Sequence, residues 1–391
     1  MPDNLIIIHG GGPTPVLNAS LYGAIQQARK HPEIAHIYGA IGGVKGLLSE
    51  NLVDFRTIDK EALALLLTTP ASSIGTARDP LTPDDYQQIA ETCERLSIRY
   101  LLYNGGNGSM EACGKIRDAC AKRVTGYQTF VVGIPKTIDN DLAMTDHCPG
   151  FGSAARYIAA TTAEVAQDVR SMPIHVCIIE AQGRNAGWIT AASALARKKP
   201  GDAPHLIYPP ERPFDEDAFI ADVQMWHQRL GGGVVVVVSE GLKNKDGNPI
   251  VPPLFQVGRS VYYGDVGAHL AQLVIRRLGI KSRNEKPGLC GRASMAHLST
   301  VDRDEAITVG AAAVRAACNK ESGVMVAIER ADSESGYAIR TVMVPIEAVM
   351  LRERVLPDEY MNDAGNDVTQ SFIDWCRPLI GGALPDYIHF R

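Results

Sequence analysis

Short apolar runs, rich in β-branched residues, alternate with helical patterns along most of this chain. The runs that predict buried strands are Leu5–His9, Ala35–Tyr38, Tyr100–Tyr103, Phe130–Ile134, His175–Glu180, Val234–Ser239, Val324–Ile328 and Thr341–Pro345. Apolar runs of this length without polar alternation are typical of strands that are buried on both faces. Because strands and helices alternate, the sequence predicts an α/β fold with parallel sheets that helices cover on both sides.

Local capping signals predict where several helices begin. Thr82, followed by Pro83 and two aspartates, predicts an N-cap with proline at the first helical position and acids in the first turn. The run Asp302–Glu305 resembles a capping box in front of a helix over Ala306–Cys318. A further helix is expected after Gly152, because apolar residues then recur at helical spacing.

The segments between these elements indicate where the chain divides. Two polar, proline-bearing stretches, Lys198–Pro204 and Asn244–Pro253, predict long surface loops. The run Pro149–Gly152 separates a loop-rich half from a long helix, and therefore marks a candidate domain boundary. A chain of 391 residues is long enough to form two domains, each with its own core.

Composition and charge narrow the class of protein. A hydrophobic content of 45% with 37 glycines fits an α/β enzyme, and the net charge of −5 argues against a nucleic acid or acidic membrane as partner. The eight cysteines form no Cys-x-x-Cys pair, and the longest apolar run, Val234–Val238, has only the length of a strand. The first residues lack the basic segment of a signal peptide. We therefore expect a cytoplasmic protein with reduced thiols.

Two glycine-rich turns follow two of the predicted strands. The first is His9–Pro15 and the second is Tyr103–Met110. Glycines at a strand-to-helix turn let backbone amides approach an anion at the positive end of the helix dipole. Either turn alone could be a tight connection without a ligand, and prolines in the first exclude the G-x-G-x-x-G dinucleotide pattern. As a pair they predict a ligand site at the carboxyl edge of one sheet.

The run Pro135–Asp141 carries two carboxylates and an amine on a short segment. If this backbone is extended, Asp139 and Asp141 lie on one side, roughly 7 Å apart. One carboxylate could then take a proton from a hydroxyl while the other orients the substrate or a metal. Lys136 would neutralise charge on a phosphoryl group in transfer. The alternative interpretation is a solvated turn with a surface lysine.

Arginines next to glycines are a further candidate for phosphate binding. They are Arg78, Arg184 and Arg292. The guanidinium group can bind a phosphate through two parallel hydrogen bonds, and a neighbouring glycine leaves room for the ligand. Each of them, taken alone, could equally be a surface arginine.

Taken in order, these motifs resemble the ATP- or pyrophosphate-dependent phosphofructokinase family. The likeness runs from the turn at Gly10 to about Ala306, with Pro135–Asp141 and Glu180–Arg184 as its most specific parts. A further stretch, from Met361 to Gly381, resembles the longer, pyrophosphate-type branch. The resemblance implies two Rossmann-like parallel-sheet domains.

The domains implied by this resemblance divide the two substrates between them. A donor-phosphate-binding domain would span residues 1–150 and be completed by about 292–350. An acceptor-binding domain would span residues 151–291 and be completed by about 351–391. The implied reaction is a direct, magnesium-dependent transfer of a phosphoryl group to the 1-hydroxyl of fructose 6-phosphate or a related sugar phosphate.

The resemblance also implies a role for individual residues. Asp139 would deprotonate the acceptor hydroxyl, while Lys136 and Arg184 would stabilise the transferring group. The donor phosphates would be bound by Gly12, Arg78, Gly108 and Ser109. The acceptor would be bound by Thr137, Asp141, His175, Gln182, Gly183, Glu240, Arg283 and Arg292. Because family members share residues across subunits, a homodimer or homotetramer is implied.

Two positions bear on the phosphoryl donor. Gly108 is the residue of ATP-type family members, because it leaves room for an α-phosphate, whereas Lys136 is that of the pyrophosphate type. The segment Gly43–Gly46 lacks the tyrosine that bacterial ATP enzymes carry near the nucleotide. We therefore favour pyrophosphate, with ATP as the alternative donor.

Two departures from the family pattern affect the metal and the acceptor. Asn107 replaces an aspartate that helps to hold Mg²⁺, so its amide oxygen is the candidate metal ligand. Gln182 replaces a methionine at the acceptor sugar, and so opens the possibility of another sugar or polyol as acceptor. A catalytically weak regulatory subunit is the alternative from a different class.

Overall fold

The chain divides into two compact units in a computed structural model, which describes residues 3–78, 80–257, 260–331 and 336–390. Unit 1 comprises residues 1–153 and 292–354, and unit 2 comprises residues 154–291 and 355–391. The assignment of donor and acceptor binding to separate domains stays a prediction.

Unit 1 is built around a seven-stranded sheet with the order β13-β12-β5-β4-β1-β2-β3. Its strands are β1 (Asp3–His9), β2 (Ile34–Ala40), β3 (Leu52–Asp54), β4 (Ile98–Gly105), β5 (Phe130–Pro135), β12 (Val324–Ala331) and β13 (Ala338–Pro345). Its helices are α1 (Leu17–Ala28), α2 (Val44–Leu48), α3 (Lys60–Ala64), α4 (Pro83–Arg95), α5 (Asn107–Ala121), α10 (Thr300–Cys318) and α11 (Ile346–Val349).

Unit 2 contains a four-stranded parallel sheet with the order β11-β6-β8-β7 and a separate hairpin. The sheet strands are β6 (His175–Ala181), β7 (Leu206–Tyr208), β8 (Val234–Ser239) and β11 (Lys281–Glu285), and the hairpin strands are β9 (Pro253–Val257) and β10 (Ser260–Tyr263). The helices are α6 (Phe151–Ser171), whose first residues belong to unit 1, α7 (Trp188–Ala192), α8 (Glu216–Leu230), α9 (Val266–Leu278) and α12 (Gln370–Cys376).

The central strands of the large sheet are buried on both faces, as the uninterrupted apolar runs predict. Leu5 and Ile7 of β1 pack into one core with α1 and α10, whereas Ile6 and Ile8 pack into a second core with α4 and α5. Successive residues of a strand point to opposite faces, so a doubly covered strand needs an apolar residue at every position. The α/β prediction is confirmed, except that β3 and β13 pair antiparallel at the two edges.

Helices α1 and α10 touch through their backbones. A Cβ added to Gly23 would lie 2.0 Å from the Ile307 carbonyl oxygen, and one added to Gly310 would lie 2.0 Å from the Ser20 carbonyl oxygen. Such a contact leaves no room for any side chain at either glycine. It fixes where the N-terminal turn of α10 lies in unit 1.

The predicted helix start at Thr82 is confirmed, but the one at Asp302 is wrong. Thr82 and Asp85 form a capping box at the start of α4. Helix α10 instead begins at Thr300, and its N-cap is Ser299, whose hydroxyl accepts a hydrogen bond from the Asp302 amide. Asp302 lies within the first turn and is buried, and its carboxylate accepts hydrogen bonds from the amides of Gly150 and Ser153.

The sequence patterns missed the short or polar strands. Strand β11 has no apolar residue in its sequence, and it forms because it pairs in parallel with β6 at the edge of the sheet. The predicted loop at Asn244–Pro253 is a turn that leads into the hairpin of β9 and β10. Edge strands of this kind depend on pairing rather than on their own burial pattern. All eight cysteines are free thiols, as expected.

Candidate active site

The turn after β1 is tied to two neighbouring segments by its backbone. The Gly10 amide donates to the Asn104 carbonyl at the end of β4, and the Gly11 amide donates to the Ala77 carbonyl, both at 2.9 Å. Gly11 has a φ of 77°, a conformation that favours glycine. These bonds bring the two predicted glycine-rich turns together at the carboxyl edge of the sheet.

Three cationic side chains converge on this turn. A Cβ on Gly12 would lie 2.8 Å from Arg78 Nη2 and 3.0 Å from Arg292 Nη1, and the Lys136 ammonium donates a hydrogen bond to the Gly12 carbonyl. Burial and the Arg78 charge together lower the pKa of Lys136 to about 8, and the same two causes lower the pKa of Arg292. A cluster whose members repel each other is electrostatically suited to a multiply charged anion.

Helix α5 begins next to this cationic cluster. Its N-cap is Gly106, which offers no side chain to the first helical amides. A Cβ added to Gly108 would meet no atom within 4 Å, whereas one added to Gly105 would lie 2.0 Å from Ser109 Oγ. An uncapped N-terminus with open space at its second residue is suited to phosphate oxygens.

The segment after β5 bends, which corrects the extended backbone expected for Asp139 and Asp141. Residues 138 and 139 form a bend, and Asn140 adopts a φ of 54°. The Asn140 carboxamide oxygen accepts a hydrogen bond from the Cys148 amide at 2.9 Å, and this bond offsets the cost of a left-handed conformation. The pattern Asp-Asn-Asp alone could not show this, because the bond to Cys148 is a tertiary contact.

The bend gives the two carboxylates different surroundings. Asp139 is half-buried and faces the charges of Lys136 and Arg292, both of which it stabilises. Burial raises the pKa of Asp141, although hydrogen bonds with Thr137 and Asn107 oppose the shift. The charge of Asp139 therefore acts on both Lys136 and Arg292, whereas that of Asp141 acts on Lys136.

Asn107 presents an oxygen that suits a hard cation. Asn107 Oδ1 and Asp141 Oδ1 are both buried and have no hydrogen-bond partner, while Asn107 Nδ2 lies 3.4 Å from the Asp141 carbonyl oxygen. Amide and carboxylate oxygens are the protein ligands that Mg²⁺ accepts. The residues present therefore fit a magnesium ion held jointly with substrate oxygens.

In unit 2, the end of β6 carries the predicted Gln182–Arg184 motif. The Gly183 amide donates to Glu240 Oε1 at 3.3 Å, and the Ser239 hydroxyl donates to the Gly183 carbonyl at 2.8 Å. Gly183 has a φ of 114°, and a Cβ there would lie 2.5 Å from the Ala186 carbonyl oxygen. Burial raises the pKa of Glu240, while the charge of Arg184 opposes the shift.

The remaining site candidates of β6 lie at opposite ends of this strand, with Gln182 and Arg184 after its end and His175 at its start. The Arg184 guanidinium is exposed, donates to the Val261 carbonyl at 2.9 Å and stacks over Tyr263. Gln182 is half-buried. His175, at the start of β6, is 2% exposed, and neither of its ring nitrogens has a hydrogen-bond partner. Burial and the charge of Arg283 lower the pKa of His175, which favours a neutral imidazole.

The sequence motifs missed a set of buried polar residues that hold the segment around Pro149. Asp302 Oδ1 accepts from the Gly150 amide at 2.8 Å, and its other oxygen accepts from Ser153. His147 lies between Asp146 and Glu305. The only sequence signal was three acids in the first turns of a helix, which also fits an ordinary N-terminus.

Comparison with known proteins supports the same family. Residues 4–317 match the family named Phosphofructokinase. The chain is 35% identical to a pyrophosphate–fructose 6-phosphate 1-phosphotransferase of Rhodospirillum rubrum, over 99% of this chain and 96% of the relative. It is 32% identical to a sulfofructose kinase of Alkalicoccus urumqiensis, over 93% of this chain and 94% of the relative.

A solved structure shares the fold over nearly the whole chain. The pyrophosphate-dependent phosphofructokinase of Marinobacter aquaeolei superimposes with a TM-score of 0.88 at 34% identity, covering 99% of this chain and 94% of that chain. The seven-stranded sheet with its glycine-rich turns and the separate four-stranded sheet define an α/β phosphotransferase architecture. The chain belongs to the phosphofructokinase family.

Proposed function

We propose that this protein transfers a phosphoryl group from pyrophosphate to the 1-hydroxyl of fructose 6-phosphate. The observation that carries this proposal is the cluster of Arg78, Lys136 and Arg292 at Gly12, beside the uncapped start of α5. Relatives and structural neighbours of nearly full length carry names that specify pyrophosphate as donor. The chain would act in glycolysis or gluconeogenesis, as a phosphotransferase with an alcohol acceptor.

The donor would bind at the carboxyl edge of the large sheet. Gly12 lets the phosphates approach the backbone, and Arg78 supplies a bidentate donor on the exposed side. Gly108 and Ser109 contribute the first turn of α5, where the helix dipole favours negative charge. Lys136 is fixed by the Gly12 carbonyl, and its buried ammonium is pre-positioned for the transferring group.

A magnesium ion would be held by Asn107 together with the oxygens of the donor. The metal would neutralise negative charge on the pyrophosphate oxygens. The neutral amide of Asn107 contributes an oxygen ligand but no charge, so this site depends on the donor for affinity.

Asp139 would act as the general base. Its carboxylate takes the proton of the acceptor hydroxyl as that oxygen bonds to the terminal phosphorus of pyrophosphate, and the bond from that phosphorus to the bridging oxygen breaks to release orthophosphate. The nearby charges of Lys136 and Arg292 stabilise the ionised carboxylate and the developing charge. The family resemblance implies that Arg184 would also stabilise the transferring group.

We propose acceptor contacts for residues of each unit, as the family resemblance implies. In unit 1 we assign them to Thr137, Asp141 and Arg292. In unit 2 we assign them to Gln182, Gly183 and Glu240 after the ends of β6 and β8. We also assign them to His175 and Arg283, which lie toward the other end of that sheet and would serve the acceptor of a neighbouring subunit. Glu240 Oε1 accepts a hydrogen bond from the Gly183 amide. A carboxylate has further lone pairs, so Glu240 can also accept a hydrogen bond from a sugar hydroxyl. Arg283 is exposed on β11 and is available for the phosphate of the sugar.

A second candidate function concerns the identity of the acceptor substrate. Gln182 is a polar, half-buried residue at the end of β6, and one relative of the chain is named a sulfofructose kinase. A carboxamide could hydrogen-bond an acceptor group that a thioether could not. A kinase for another sugar, sugar derivative or polyol is therefore the second proposed function.

We propose a cytoplasmic homodimer or homotetramer, because shared active sites are implied by the family resemblance. Across the residues that the structure describes, no helix has the length and hydropathy needed to cross a membrane. Light scattering in solution would test the assembly, and a monomeric mass at assay concentrations would contradict it.

The test is a comparison of initial rates with fructose 6-phosphate and Mg²⁺, using pyrophosphate or ATP as donor. Turnover with pyrophosphate alone supports the proposal, and turnover with ATP alone moves the donor assignment to the alternative. Absence of turnover with either donor redirects the search to other acceptors.

Gly108→Asp supplies an independent test of the donor site. The new side chain would enter open space next to the donor phosphates, where its size and charge conflict with an α-phosphate but not with pyrophosphate. We expect turnover with pyrophosphate to fall less than tenfold, and any turnover with ATP to be abolished. Equal losses with both donors would contradict the placement of the nucleotide beyond Gly108.

A further inference from the structure

The loop that carries Asp139 is held by the chain segment that returns behind it. The Thr137 amide donates to the Pro149 carbonyl at 3.2 Å, and the Asn140 side chain accepts from the Cys148 amide at 2.9 Å. Asn140 itself has a φ of 54° and is fully buried. The conformation of the loop between Thr137 and Asp141 therefore depends on where residues 145–150 lie.

The returning segment is in turn anchored to β12 and to the first turns of α10. The Asp146 amide donates to the Ile328 carbonyl of β12 at 2.8 Å. On the other side, the Gly150 amide donates to Asp302 Oδ1 at 2.8 Å. Between these two anchors, the side chain of His147 lies against Glu305 of α10.

His147 bridges two carboxylates. Its Nδ1 lies 2.8 Å from Asp146 Oδ2, its Nε2 lies 2.6 Å from Glu305 Oε2, and the residue is 1% exposed. A neutral imidazole has one N–H and one lone pair, so it can donate to only one of two carboxylates. When Asp146 and Glu305 are both ionised, both contacts are hydrogen bonds only if the ring is an imidazolium, which donates from both nitrogens.

The surroundings of the ring favour that charged form. Burial alone would lower the pKa of His147, but the hydrogen bonds with Asp146 and Glu305 raise it to about 8. Arg330 donates to Asp146 at 3.0 Å, and the Tyr337 hydroxyl donates to Glu305 Oε1 at 2.6 Å. Asp302, on the preceding turn of α10, adds a third carboxyl group whose pKa burial raises to about 6.

We propose that the His147 imidazolium is a positioning residue, which ties the segment behind the Asp139 loop to helix α10 and so keeps the general base in place. Loss of its proton leaves a lone pair facing a carboxylate in a buried site, and loosens the anchor between residues 145–150 and α10. The expected loss of turnover rests on the proposed function, whereas the expected loosening of the loop between Thr137 and Asp141 does not.

The decisive variant is Glu305→Gln. Glutamine keeps the size and one hydrogen-bond acceptor of Glu305 but removes the charge that holds the proton on His147. The matched control is Glu216→Gln, because Glu216 forms the same kind of contact, at 2.8 Å, with His269 of α9. That pair is half exposed and lies in unit 2.

Two readouts follow each variant from pH 6 to 9.5. The first is kcat and both KM values for pyrophosphate and fructose 6-phosphate. The second is hydrogen exchange of amides in residues 137–150, corrected for intrinsic exchange, which needs no turnover. In E305Q we expect the alkaline fall of kcat and the loss of protection to move down by about one pH unit or more, with KM values within threefold. In E216Q neither should move.

The fall of kcat at alkaline pH, called the alkaline limb here, could reflect the titration of either His147 or Lys136, because both pKa values are about 8. Its position in E305Q distinguishes the two groups. Lys136 has no contact with Glu305, so a limb that belongs to Lys136 would stay in place in E305Q. An unchanged limb together with unchanged protection would overturn the positioning role, even if the variant melts at lower temperature. If the unmodified protein shows no turnover, the proposed function fails and the exchange data still decide the role of His147.

Tyr337→Phe is the second variant, should E305Q not yield folded protein. It removes a hydroxyl that donates to Glu305 and that also lies 3.3 Å from His147 Nε2. Glu305 then becomes a stronger partner for the imidazolium, and the neutral ring loses a donor to its lone pair, so both effects raise the pKa of His147. The loss of protection in residues 137–150 is then expected at higher pH than in the unmodified protein. A midpoint that does not move would count against the proposal.

Discussion

Individual residues at the candidate site act through charges that burial makes effective. The Lys136 ammonium is 3% exposed and sits between two arginines and the half-buried Asp139. In such a site water screens charges poorly, so each charge has a larger effect than on the surface. Single substitutions here should therefore change turnover far more than they change stability.

Asp139→Asn tests the general base directly. An amide cannot take the proton of the acceptor hydroxyl, so we expect kcat to fall by about 10² to 10⁴-fold with KM values little changed. Asp246→Asn, at an exposed turn, is the matched control and should leave kcat unchanged. Retention of more than a tenth of kcat in D139N would contradict this assignment.

Asn107→Asp tests the proposed metal ligand. A carboxylate adds a negative charge next to the proposed ion, so the Mg²⁺ concentration for half-maximal rate should fall, by about threefold or more. Titration of the rate with Mg²⁺ at saturating substrates measures this. An unchanged or higher requirement would show that the side chain does not contact the metal.

At the scale of elements, strands and helices place the site by bringing distant segments to one edge. The turn after β1 and the start of α5 meet because β1 and β4 are neighbours in the sheet, with His9 opposite Asn104. Helix α10 approaches α1 at two glycines, and its first turn reaches the segment behind the Asp139 loop. The packing of α10 therefore supports both the core and the site.

Gly310→Ala tests the close contact between α1 and α10. The added methyl group would lie 2.0 Å from the Ser20 carbonyl oxygen, so the helices must separate, and we expect the free energy of unfolding to fall by about 2 kcal/mol or more. Gly114→Ala in α5 is the control, because the new methyl would meet only side-chain atoms of Ile346 and Met350 at 3.3 and 3.5 Å. Denaturant unfolding of both variants measures the difference, and equal losses would argue against the backbone contact.

At the scale of the whole molecule, every group whose pKa differs between the folded and unfolded states contributes to the pH dependence of the free energy of unfolding. His147 is fully buried and its pKa is raised from 6.5 to about 8, so its contribution is complete below pH 6.5 and is lost as the pH rises through 8. The raised pKa of Asp302, about 6, acts at lower pH, and the lowered pKa of Lys136, about 8, acts above this window. His9, His175 and His205, whose pKa values burial lowers, act with the opposite sign at the acid end of this interval, so the effect of His147 is read as the difference between the unmodified protein and a variant without this imidazole.

We expect the stability advantage of the unmodified protein over His147→Gln to fall by about 1 kcal/mol between pH 6.5 and 8. At pH 6.5 the variant is the less stable protein, because the two carboxylate partners of His147 lose a cation. Urea unfolding of both proteins at several pH values checks both statements, since the contributions of the other titrating groups cancel in the difference. A difference that stays constant or grows across this interval would contradict the charge assigned to His147.

The sequence by itself determined the fold class, and it named the candidate site residues, whose roles stay predictions. Its uninterrupted apolar runs require strands that are covered on both faces, and glycine at strand-to-helix turns is a local requirement that a sequence records. The order of the motifs around Gly12, Gly108 and Asp139 was sufficient to indicate the phosphofructokinase family.

Only the tertiary structure decided how the loop that carries Asp139 is shaped and held. The bend at Asn140 depends on the Cys148 amide, the burial of Asp302 depends on Gly150 and Ser153, and the charge of His147 depends on Glu305. Most of these partners lie far apart in sequence, and a conformation or a pKa is set by whichever groups the fold brings within a few ångströms. Local pattern therefore predicted candidate residues for the chemistry, while long-range packing set their geometry and their protonation.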